Sequence, residues 1–72
     1  MITKRVGDMY ISFRNARDYL LEKHNAELRY VERGQLEEWW AAEFGGAVSD
    51  KVDPTIDVDS EADYTMFLLR FA

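Results

Sequence analysis

The chain contains no cysteine, and at 72 residues that absence decides much of what it can fold into. No disulfide can staple it, and no cysteine-ligated zinc can order it. A chain this short buries only about 60% of the surface that its unfolded form exposes. One compact domain over residues 1–72 is therefore the expectation, held by a single apolar core or helped by self-association. The core has material: 47% of the residues are hydrophobic and 14% aromatic, unlike a disordered sequence.

Periodicity divides the chain into candidate elements. Over residues 1–13, Met9, Ile11 and Phe13 alternate with Tyr10 and Ser12, which suits a strand. Val6, Met9, Tyr10, Phe13, Ala16 and Leu20 also fit helical spacing, but Gly7 would cost that helix about 1 kcal/mol. The β-favouring side chains tip the reading toward a strand. Residues 15–24 read as a helix with Asn15 as N-cap, His24 in its last turn and Asn25 closing it. Residues 26–32 alternate again, which predicts a strand with Leu28 and Tyr30 facing the core. Residues 35–44 read as a second helix, with Leu36, Trp39, Trp40 and Phe44 on one stripe. Glu37 and Glu38 lie in its first turn, and Gly45 and Gly46 stop it.

Residues 45–63 form a loop-rich acidic segment with six acids, Asp50, Asp53, Asp57, Asp59, Glu61 and Asp63, and the sole proline. A short strand fits at 55–58. Residues 64–71 carry apolar side chains on both faces of a strand, which suits the inside of a sheet. The rival is a helix, with Ser60 and Asp63 as a capping box and Tyr64, Phe67, Leu68 and Phe71 on one side. The order predicts an α+β domain: a small antiparallel or mixed sheet of three to four strands, with two helices packed on one face.

Charge is unevenly placed. The net charge is −5 overall, but residues 1–33 carry +2 and residues 34–72 carry −7. That balance is wrong for a chain that grips nucleic acid by neutralising phosphates. It favours a basic partner that meets the second half. The longest apolar runs, 39–42 and 66–69, have four residues each, against roughly 20 for a spanning helix. Gly7 and Asp8 fall where an export signal would be apolar. A cytoplasmic location without membrane contact is expected.

Catalysis finds little support. His24 is the sole histidine and sits at a predicted helix end. So short a chain also leaves little room for a pocket of several hundred cubic ångströms. Asp57, Asp59, Glu61 and Asp63 fall at alternate positions and resemble a calcium loop. Ala62 stands where the loop needs glycine and Leu68 where it needs glutamate, so no metal site is expected. Gly34, Gly45 and Gly46 lack a phosphate-loop frame, and no cofactor is expected.

Trp39 and Trp40 point about 100° apart on a helix, so one can be buried while the other lies near the edge of the stripe. With Glu37, Glu38 and Glu43 they give an aromatic centre with an acidic rim, a pattern favoured at protein interfaces. These five residues and Asp57, Asp59, Glu61 and Asp63 are the candidate partner-binding residues. The expectation is a small acidic, non-enzymatic protein-binding domain. In class and size it suits an inhibitor or modulator carried by phages or other mobile elements, including anti-CRISPR-like mimics of nucleic acid. The alternative is a structural or accessory subunit that dimerises through the Trp39/Trp40 helix.

Overall fold

The structure is a computed structural model, and it describes residues 1–32, 34–49 and 53–72. Arg33 and Asp50, counted in the charge pattern above, lie outside the described residues, as do Lys51 and Val52. The described chain runs β1 (Ile2–Arg5), α1 (Tyr10–Lys23), α2 (Gln35–Phe44), β2 (Val48–Ser49), β3 (Thr55–Val58) and α3 (Glu61–Arg70). The strands form one antiparallel sheet in the order β1-β3-β2. The α+β class thus stands, with three strands and three helices among the described residues.

Register explains the layering. Ile2 pairs with Val58 and Lys4 with Ile56, while Val48 meets Ile56 from the other side. These residues share one sheet face, and Ile56 is fully buried there. Thr3, Arg5, Asp57, Thr55 and Ser49 take the opposite face, which is polar. The helices cover the apolar face, and the core joins Val6, Met9, Ala16, Leu20, Trp40, Ile56, Phe67 and Phe71.

Three elements differ from the sequence reading. Residues 10–13 are helical, not extended, because Gly7 never enters the helix. It sits in a 3-10 turn, Val6–Asp8, anchored by the Val6 N–H to the Pro54 carbonyl at 2.9 Å. Helix α1 therefore starts at Tyr10, free of the glycine cost, and carries Phe13, Ala16 and Leu20 of that spacing, while Val6 and Met9 join the core from the turn before it. Asn15 is accordingly no N-cap. It lies inside α1, and its Nδ2 donates to the Phe71 carbonyl at 2.9 Å, tying α1 to the end of α3.

Residues 26–32 form no strand. Leu28–Tyr30 is a 3-10 turn, and Leu28 and Tyr30 are exposed. The turn is closed locally, by the Tyr30 N–H to the Glu27 carbonyl and the Arg29 guanidinium to the Glu27 carboxylate. Asn25 does take the left-handed conformation, at φ 51°.

Residues 61–70 form a helix, so the rival reading of this segment prevails and the helices number three. A sheet covered on one face offers no site for a strand that is apolar on both faces. As a helix the segment buries Phe67 and turns Met66 and Leu69 outward. Its start is fixed by Ser60, whose Oγ accepts from the Asp63 N–H at 3.2 Å.

Candidate functional site

Helix α2 places the two tryptophans as their spacing requires. Trp40 is 1% exposed, enclosed by Phe13, Phe44 and Phe67 at ring-centroid distances of 5.2, 4.8 and 5.7 Å. It is a core residue and presents nothing to a partner. Trp39 is half-buried. One of its faces is covered by the His24 ring, parallel within 3° at 4.1 Å. The histidine that ends α1 is thus committed to packing against α2.

The candidate acids do not form one row. Alternation would align Asp57, Asp59, Glu61 and Asp63 only in a continuous strand, and the chain turns into α3 at residue 61. Asp57 lies on the sheet face turned away from the helices and accepts from the Thr3 hydroxyl at 2.7 Å. Glu61 pairs with Lys4 at 2.9 Å. Glu38 is exposed near the start of α2, and Glu37 lines a hollow of about 390 Å³ beside Arg17 and Leu36.

Asp59 and Asp63 remain, and the fold brings them to Glu43. The three carboxylates line an open groove of about 350 Å³ between the end of α2, the end of β3 and α3. Its apolar lining includes Phe44, Val58, Met66 and Phe67. Length alone suggested less room than these two hollows provide. Neither Asp59 nor Asp63 makes an ion pair with a cation among the described residues. Asp63 is held by the Ser60 hydroxyl at 3.1 Å. No three carboxylate or imidazole side chains converge as a metal site among the described residues.

Glu43 is engaged from α1. It accepts from Lys23 Nζ and from the Tyr19 hydroxyl, the latter at 3.1 Å. The Lys23 hydrogen bond, and then the Tyr19 one, hold its carboxyl below the ordinary value of 4.5. The same hydrogen bond to Glu43 raises Lys23 above its ordinary 10.5. Both shifts favour the folded pair. The Glu43 contribution is complete above about pH 5 and is lost as acid carries the pH down through its folded value. The Lys23 contribution is complete below about pH 10 and is lost as the pH rises through its folded value. The melting-temperature gap between the native chain and Glu43→Gln is therefore expected to be widest between those limits and to narrow outside both. A gap independent of pH would show that this pair does not link α1 to α2.

Met66 escaped the sequence reading as a site residue. Ala62, Met66 and Leu69 are spaced i, i+4 and i+7, and all three are exposed on the outer side of α3. That stripe is visible only once the segment is read as a helix. No helix is long and apolar enough to cross a membrane among the described residues. Comparison of the chain with protein-family models, curated proteins and solved structures gives no match.

Proposed function

We propose that this chain is a small protein-binding domain whose acidic second half engages a basic partner. The observation that supports it most is the pairing of chemistries at one place. Two carboxylates without a cation partner among the described residues, Asp59 and Asp63, flank an apolar groove on a domain whose second half carries −7. Opposite charge would steer the encounter, and the apolar floor would hold the complex once formed. Inhibition or modulation of a protein that itself binds nucleic acid is the form of this reading in which carboxylates stand in for phosphates.

The test is affinity capture with the tagged chain at about 50 mM and about 500 mM salt, since surface charges are strongly screened at the higher value. Strongly basic proteins are expected to be retained at low salt and released at high salt. A variant with Asp57, Asp59 and Asp63 changed to Asn and Glu61 to Gln should lose them. Retention of the same proteins by that variant, insensitive to salt, would reject the reading.

A further inference from the structure

Resting on that reading, we infer that the groove between α2 and α3 is a receptor for an arginine-bearing apolar segment of the partner. The argument begins with what lines the groove. Asp59 and Asp63 offer carboxylates, and Phe44 and Phe67 offer aromatic surface between them and the core. The groove also sits where α2 ends at Gly45, and the last carbonyls of a helix point outward at its negative pole. A cation with a flat, weakly hydrated head suits all three features, and guanidinium matches them better than ammonium. It can meet a carboxylate with two hydrogen bonds and lie on a ring in the same pose.

The molecule already holds one guanidinium against aromatic rings here, without a carboxylate partner among the described residues. Arg70, on the wall of the groove, lies over the rings of Tyr19, Phe44 and Phe71 at 4.9, 5.5 and 4.9 Å. It does not saturate the site. Among the described residues, three carboxylates line the groove against that single cation, and Glu43 is the one carboxylate that Lys23 pairs with. The uncompensated charge falls at Asp59 and Asp63. Met66 lines the same groove and is 67% exposed, and Leu69 stands exposed one turn further along α3. An apolar residue next to the partner's arginine would cover Met66. The occupant is thus an arginine beside an aliphatic or aromatic residue on another protein.

The test is titration of the isotope-labelled chain, followed by NMR, with three blocked hexapeptides in which leucine alternates with arginine, lysine or glutamine. At low salt the arginine peptide is expected to shift the amides of Gly45, Gly46, Asp59 and Asp63 and the Met66 methyl. The lysine peptide should bind several-fold more weakly, and the glutamine peptide should cause no shift. Asp59→Asn with Asp63→Asn should weaken the arginine peptide about tenfold, as should Met66→Gln. Asp8→Asn with Glu22→Gln removes the same charge from the other half and should leave binding unchanged. Equal loss in that control, equal affinity for lysine, or shifts confined to other surfaces would overturn the groove assignment while leaving an acidic binding domain. Failure of every basic peptide to bind would overturn both.

Discussion

Gly46→Ala is expected to destabilise the domain by about 3 kcal/mol or more, a large part of the stability available to a chain this small. The cause is backbone against backbone. A Cβ at residue 46 would lie 1.9 Å from the Asp57 carbonyl oxygen and 3.0 Å from its carbon. No side chain can swing aside to relieve that contact. Relief requires the segment before β2 to move off β3. Such movement breaks the bond from the Asp57 N–H to the Ala47 carbonyl, now 2.8 Å, and disturbs the pairing of Val48 with Ile56.

The other glycines make the measurement specific. Gly45, at φ 75°, closes α2 in the left-handed region with open space around it. Alanine there should cost about 1 kcal/mol, from backbone strain alone. Gly7 has open space and no positive φ, so Gly7→Ala should be within about 0.5 kcal/mol of the native chain. Urea denaturation followed by circular dichroism orders the three variants. Similar losses at 45 and 46 would show that close approach to Asp57 is not what fixes residue 46.

Why some elements were legible in the sequence follows from the range of the forces that set them. Helix α2 was readable because its stripe, its first-turn acids and its closing glycine are all local signals. Strand β3 was readable for a similar reason, with turn residues on both sides. Residues 64–71 were not decidable from periodicity. Phe67 and Phe71 fit a strand face as well as a helix stripe, and only a sheet with one covered face removes the strand. Leu28 and Tyr30 misled because alternation reports a strand only where a sheet edge is free to receive it.

The candidate site divides along the same line. Acids and tryptophans were visible as residue types. Which of them meet was not, because Asp59 and Asp63 join Glu43 only through the turn from β3 into α3. The paired glycines carried an unused signal. One glycine suffices to cap α2, and the second implied a close backbone approach elsewhere.

Trp40→Ala is expected to cost about 3–5 kcal/mol, the range for emptying an aromatic site in a packed core. For a domain of this size that loss would leave little or no folded protein at room temperature. The residue is 1% exposed, and its ring touches Phe13 on α1, Phe44 on its own helix and Phe67 on α3, so its removal empties the point where the three helices meet. Trp40→Phe keeps much of the apolar volume and should cost about half as much, leaving a folded chain for study. Trp39→Ala gives up one half-buried ring stacked on His24 and should cost about 1 kcal/mol. The functional consequence runs through the same rings. Phe44 and Phe67 line the groove and rest on Trp40, so Trp40→Phe should weaken the arginine peptide even though residue 40 is no part of the lining. Urea midpoints and peptide titrations on Trp40→Phe and Trp39→Ala separate the two roles. Trp39→Ala matching Trp40→Ala in stability would refute the assignment of Trp40 as the hub, and unchanged peptide binding in Trp40→Phe would detach the groove from the core beneath it.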